Sequence, residues 1–242
     1  IDDTTYIFVE DFSYPEWKGK ISYIEYPDGF QNEDLRTAHE EPEHMSYPYI
    51  FKHNDAIYAT PEIYESNEIR LYQVHSPSDW EFKKTLTKDT EGVDPTIIKY
   101  DGKWWMFYTE QAYSNTKLYI QFAENLTGEW KPHKQNPIKT DIRSSRPGGT
   151  PFVKEGELYR PAQNSVGGYG SKIVINRVNK LTSEQYAEEQ VSEIRPSIEG
   201  PYTGMHTLSS QGEITLIDNK RRIRNRHAIK RRVHQIVSRL PL

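Results

Sequence analysis

The chain contains no cysteine. Disulfides, thiolate metal sites and a cysteine nucleophile are therefore excluded. A reducing compartment is allowed, and a cytoplasmic location is the expectation. No apolar run approaches the roughly 20 residues that cross a bilayer. The first residue is Ile1, with no methionine and no signal-peptide pattern behind it. That reads as a piece of a longer protein, with any targeting information elsewhere. The histidines show no ligand spacing; His39 and His44 merely flank an acidic loop, "HEEPEH". Neither a metal nor another cofactor is expected.

Aliphatic residues are scarce and aromatic ones are not. Only 35% of the 242 residues are apolar, yet 12% are aromatic, with 17 Tyr and 5 Trp. That balance suits β structure with half-buried aromatic faces. Fifteen Pro and 14 Gly are spread through the chain as turns between short strands require. The length fits one large domain or two small ones. Charge is uneven: residues 220–242 hold nine Lys or Arg and no acid, so the −4 chain has a body of −13. An acidic body argues against nucleic acid as a partner.

An internal repeat organises the sequence. "DDTTYIFVED", "HNDAIYATPEI", "YDGKWWMFYTE" and "KEGELYRPAQN" each place a turn before an aromatic strand. Aligned on Tyr6, Tyr58, Trp105 and Tyr159, they recur every 52, 47 and 54 residues. Four positions on stand Glu10, Glu62, Thr109 and Gln163, all polar. Strands with a Pro at their start precede three of the anchors, at Pro48, Pro95 and Pro151, where a strand tolerates proline. Two further strands follow each anchor. Four strands in about 50 residues is the size of a propeller blade. A fifth copy begins at "GMHTLSSQGEITLID", and the first copy lacks its first strand. The prediction is an all-β, five-bladed β-propeller over 1–218, followed by a basic helical tail or linker over 219–242.

Polar residues at equivalent places in successive blades converge on one channel mouth. The set is Glu10, Ser46, Tyr47, Glu62, Asp94, Arg146, Arg160, Gln163, Tyr169 and His206. Paired carboxyls there suit glycoside chemistry, one as acid and one as nucleophile or base. Mutual repulsion would raise one pKa, as an acid needs. The bland reading is that Glu10, Glu62 and Gln163 satisfy backbone groups at blade edges. Arg146 and Arg160 either hold an anionic ligand group or form structural ion pairs. His206 is either a site residue or a hydrogen-bonded structural histidine. "SVGGYGS" leads into a strand and not a helix, so it reads as a turn rather than a phosphate loop. The tail carries a rough apolar stripe among basic residues. Docking on the acidic body, linking to another domain and contact with an anionic membrane surface all stay open.

The stretches "HMSYPYIF…IYATPE", "VDPTII…KWWMFYT", "GEWKPHKQNP", "RPGG…LYRPAQNSVGGYG" and "HTLSSQGEITLID" together resemble the N-terminal propeller of glucosamine inositolphosphorylceramide transferases. The resemblance covers about residues 5–218. That propeller in turn resembles the five-bladed arabinanase and invertase superfamily of glycoside hydrolases. The likeness implies a carbohydrate ligand and a fused or associated transferase domain. In the hydrolases, acidic residues from three blades form the site. Here Asp94 matches an Asp-Pro strand start, Ser46-Tyr47-Pro48 replaces another, and the first blade's strand is missing. The expectation is a carbohydrate-active propeller that acts on or binds a sugar, including an anionic, nucleotide-linked or lipid-linked one. If it is an enzyme, Glu62 would be the acid, and Asp94 or Glu10 the base or nucleophile. Ser46, Tyr47, Arg146, Arg160, Gln163, Tyr169 and His206 would hold substrate. The alternatives are a non-catalytic glycan-recognition domain and a protein-interaction scaffold.

Overall fold

The computed structural model describes residues 1, 4–26, 35–197 and 199–221. Its repeat starts from the turns. Asn54-Asp55, Asp101-Gly102 and Glu155-Gly156 all have positive φ. Two left-handed residues in a two-residue loop match the right-handed twist of the strands on either side. Each pair joins the first two strands of a blade, so three equivalent sequence positions fold alike.

Blade one holds β1 (Thr5–Ser13), β2 (Lys18–Tyr26) and β3 (Arg36–His39) in that order. Blade two runs β4 (Ile50–His53), β5 (Ala56–Ala59), β6 (Glu68–Ser76) and β7 (Asp79–Lys88). Blade three comprises β8 (Gly92–Tyr100), β9 (Lys103–Glu110) and β10 (Lys117–Ala123), edged by β11 (Lys131–Pro132) and β12 (Lys139–Thr140). Blade four is β13 (Phe152–Lys154), β14 (Glu157–Asn164), β15 (Lys172–Leu181) and β16 (Tyr186–Ile194). All pairings within these sheets are antiparallel. The rest forms two ribbons: β17 (Tyr202–Gly204) with β20 (Lys220–Arg221), and β18 (Leu208–Gln211) with β19 (Ile214–Ile217).

The architecture is an all-β propeller, but with four blades rather than the predicted five. The fifth copy forms two two-stranded ribbons that join no common sheet among the described residues. Its β18–β19 hairpin docks on the entry to blade four: Leu208 N donates to Gly148 O at 2.9 Å, and Thr150 N to Leu208 O at 2.8 Å. Gly149 at this contact has a φ of 118°, and a Cβ there would meet Leu208 O at 1.8 Å, so only glycine fits. Blade one has three strands, as its missing first strand predicts. Among the described residues there is no α-helix. Lys220 and Arg221 form a strand, and the rest of the predicted tail helix lies outside the described residues.

Apolar faces pack blade against blade. Ile21, Met45, Ala59, Tyr72, Val74 and Trp80 fill the gap between blades one and two. Leu71, Ile97, Trp104, Met106 and Tyr108 fill the next. Trp105, Phe107, Leu118 and Ile120 pack toward Leu181 and Tyr186 of blade four. Ile173, Ile175 and Met205 join blade four to the last segment. The alternation of each strand sends one set of side chains to each neighbour, which is why both sheet faces read as aromatic or β-branched.

Candidate functional site

A bulge aims the central carboxylate. The β8–β9 register shifts between Val93 and Thr96, and within that irregularity Asp94 holds a φ of 50°. Tyr47, at the same place one blade earlier and also before a Pro, holds 45°. A left-handed residue ahead of proline costs on the order of 1–3 kcal/mol and persists only where neighbours hold it. Those neighbours are present. Asp94 N donates to Glu62 Oε2 at 3.0 Å, and Arg146 Nε donates to Asp94 Oδ2 at 2.7 Å. Gln163 Nε2 donates to the same Oδ2 and to Pro147 O, both at 2.8 Å. The Tyr47 hydroxyl meets Thr96 Oγ1 at 2.8 Å and accepts from Gly149 N at 3.0 Å.

These residues make a buried floor. Glu62, Asp94 and Gln163 are 5%, 3% and 0% exposed. One guanidinium serves two carboxyls: Arg146 Nη2 lies 3.9 Å from Glu62 Oε2 in addition to its bond with Asp94. Burial pushes the Glu62 carboxyl well above the usual range, the Asp94 charge pushes it further, and Arg146 only partly offsets both. The Glu62 carboxyl accepts the backbone N–H of Asp94, which holds the two acids side by side in the floor. Burial works against the Arg146 charge, but Asp94, Tyr169 and Glu62 overcome it and raise its pKa. Gln163 Oε1 is buried and carries no hydrogen bond.

Around the floor stands an open wall. Tyr169, 43% exposed, has the Arg146 guanidinium 4.8 Å from its ring centroid and the His206 ring at 5.3 Å. His206 Nδ1 bonds Asp218 Oδ2, whose other oxygen accepts from the backbone N–H groups of His206 and Thr207 at 2.8 and 2.6 Å. That fixes the ring and turns Nε2 outward as its free nitrogen. Glu10 comes from blade one, with 39% of its side chain open. Partial burial raises its pKa; His206 and Arg146 pull it down, and Asp94 pushes it up. Glu10, Glu62 and Asp94 also act on the Tyr169 hydroxyl, where burial is the largest cause of a raised pKa.

Eight of the ten predicted residues thus share one neighbourhood: Glu10, Tyr47, Glu62, Asp94, Arg146, Gln163, Tyr169 and His206. Ser46 contributes only backbone, exchanging two hydrogen bonds with Glu62. Arg160 lies elsewhere. It is 1% exposed and bidentate to Glu188 at 3.0 and 2.7 Å, with Ser144 O as a third acceptor. The structural ion pair, one of its two sequence readings, is the one observed. Sequence reasoning missed Asp218 and His44. Asp218 closes the hairpin that His206 opens, so its signal was the shared end of "HTLSSQGEITLID". His44 gave none, because it stands outside the repeat positions. No cluster of three or more His, Asp or Glu among the described residues has metal-holding geometry.

A propeller with carboxyls at its centre is the architecture of several glycoside hydrolases, and solved structures bear out the likeness of fold. A thermostable family-43 glycoside hydrolase superposes with a TM-score of 0.56 at 17% identity, covering 83% of this chain and 75% of its own. The catalytic domain of a Coprinopsis cinerea GH62 alpha-L-arabinofuranosidase gives 0.59 at 11% identity, covering 77% and 64%. Residues 1–208 match the family "Glucosamine inositolphosphorylceramide transferase 1, N-terminal". The chain belongs to that family. It is 37% identical over 198 residues to glucosamine inositolphosphorylceramide transferase 1 of Oryza sativa subsp. indica, and 35% over 197 to that of Arabidopsis thaliana. Each alignment covers 78% of this chain but 26% of the relative, so the chain spans about a quarter of their length.

Proposed function

We propose that this propeller is a carbohydrate-recognition domain that holds a sugar for a transferase, and does not itself cleave glycosides. One observation carries the reading. Glu62 and Asp94, the carboxyls expected to be acid and nucleophile, are tied to each other and to Arg146 inside the floor. A retaining hydrolase needs its pair roughly 5–5.5 Å apart and an inverting one roughly 6.5–9.5 Å, with the sugar between them. A buried pair joined through the Asp94 backbone N–H and one shared guanidinium leaves no such space. The floor instead shapes and rigidifies a mouth whose accessible groups are Glu10, Tyr169 and His206. An aromatic face, a carboxylate and an imidazole suit a sugar ring: apolar C–H groups stack, and hydroxyls find polar partners. The family's name supplies the partner, a transferase acting on a glucosamine-type substrate.

A second reading has one specific observation in its favour. Glu10 is solvent-facing, has a raised pKa and sits within electrostatic reach of the His206–Asp218 pair. Those groups could serve as an acid and a base. One experiment separates the readings. Glucose, glucosamine, N-acetylglucosamine and glucuronate are titrated into the protein by calorimetry, and matching nitrophenyl glycosides are assayed for release. The recognition reading expects binding that Tyr169→Ala weakens at least tenfold, with no release by any variant. Release that Glu10→Gln abolishes would establish the hydrolytic reading. Absence of binding by every sugar would sink both.

A further inference from the structure

Beside Glu10 lies a group of rings that neither the floor nor the blade cores use. His44 Nε2 is 3.8 Å from Glu10 Oε1. Gly19 N donates to His44 Nδ1 at 2.8 Å, which keeps the imidazole proton on Nε2, the nitrogen facing Glu10. Burial holds the His44 pKa below its usual value, consistent with that neutral tautomer. Gly19 is required here, because a Cβ would meet Met45 O at 2.5 Å and His44 Cε1 at 2.7 Å. The His44 ring stands edge-on to Phe12, with centroids 5.7 Å apart. Phe12 in turn stands edge-on to Tyr14 and Trp17, at 5.2 and 5.3 Å. Tyr14 is 42% exposed. Trp17 holds a φ of 61°, a conformation that a bulky residue adopts rarely and mostly where a site demands it.

This rim has a definite chemistry. Aromatic faces beside a carboxylate present one flat apolar surface and two hydrogen-bond acceptors, the pairing that suits the C–H face and the hydroxyls of a pyranose. The sign of the charge narrows the ligand. Glu10 shares the mouth with Glu62, Asp94 and Asp218, against Arg146 and His206. An acidic sugar would meet a surplus of carboxyls. Of the ligands the sequence left open, this favours an uncharged sugar over an anionic one.

We propose that Glu10, His44 and the rim of Phe12, Tyr14 and Trp17 form a second sugar subsite, adjoining the Tyr169–His206 subsite, for a pyranose without an acidic substituent. The proposal rests on the recognition reading above and extends it from one sugar ring to two. Gly19 orients His44, whose ring packs on Phe12 and closes the subsite beside Glu10.

The test compares one ring with two. Glucosamine and its β-1,4-linked disaccharide are titrated into the parent protein and into Tyr14→Ala, Gly19→Ala and Tyr169→Ala, with glucuronate as the acidic control. Tryptophan fluorescence is followed in parallel in the parent and in Trp17→Phe. The expected result is a disaccharide affinity at least tenfold above that of the monosaccharide, lost in Tyr14→Ala and in Gly19→Ala. Monosaccharide binding should be unchanged in Tyr14→Ala, whose ring lies outside the first subsite, and fall in Tyr169→Ala. Glucuronate should bind at least tenfold more weakly than glucosamine, and disaccharide quenching should vanish in Trp17→Phe. Tyr14 is exposed, so Tyr14→Ala decides the matter if Gly19→Ala does not fold. Equal disaccharide binding by parent and Tyr14→Ala would overturn the second subsite while leaving the first intact. Failure of every sugar to bind the parent would overturn both.

Discussion

Two arginines from neighbouring stretches of the chain, each followed by a proline, enter two buried ion-pair networks with opposite characters. Arg160 meets Glu188 in a bidentate pair, and Lys139 and Tyr186 complete the Glu188 shell at 2.7 and 2.5 Å. Two cations serve one carboxylate, so burial raises the Glu188 pKa less than Arg160 and Lys139 lower it. Arg146 faces two carboxyls alone, and one of them, Glu62, is left with a raised pKa. A fully compensated network staples strands together. An undercompensated one keeps an electrostatic demand unmet at the channel mouth, and perturbed groups of that kind concentrate at functional sites.

The sharpest way to break the comparison is Arg160→Ala. It leaves the buried Glu188 with Lys139 as its one cation among the described residues and is expected to cost about 3–5 kcal/mol of stability at every pH near neutral, read by denaturant unfolding. Arg146→Ala is expected to cost less, roughly 2 kcal/mol at pH 8, because a proton on Glu62 relieves the uncompensated charge. Its cost should shrink toward pH 5, and an equal cost at both pH values would remove the distinction between the networks. Glu62→Gln tests the sign directly. A carboxyl with a raised folded-state pKa stabilises fully below its ordinary value and loses that contribution as pH rises toward about 8. The parent should therefore lose stability across that window, while Glu62→Gln shows a flatter pH profile. Tyr169→Ala is the smallest perturbation, within about 0.5 kcal/mol for a half-exposed ring; its effect belongs in ligand affinity.

The repeat was readable because its physics is local. Two-residue turns such as Asp101-Gly102 and the alternation that follows them are fixed by φ preferences and pleat. The convergence of Glu10, Glu62, Asp94 and Gln163 followed from their equivalent places in successive blades. Arg160 was misplaced for a related reason. It sits three residues before Gln163, an odd offset that sends the two side chains to opposite faces of β14, and its partner Glu188 lies 28 residues away. No motif announces such a partner. The blade count failed at its last member, where a hydrophobic pattern was present but the described strands pair only two by two. Asp218 and His44 escaped because their roles depend on partners across a hairpin or between blades.

The hydroxyl of Tyr47 reaches the backbone of Gly149, 102 residues away, passing from blade two to the threshold of blade four. Blade three must already be seated between them for that bond to exist. The mouth thus belongs to no blade singly. A nascent or partly unfolded chain would carry every residue of the site and have no site. The proposed sugar, once bound there, would act as a latch on the assembled blades, favouring them by mass action over every incomplete form.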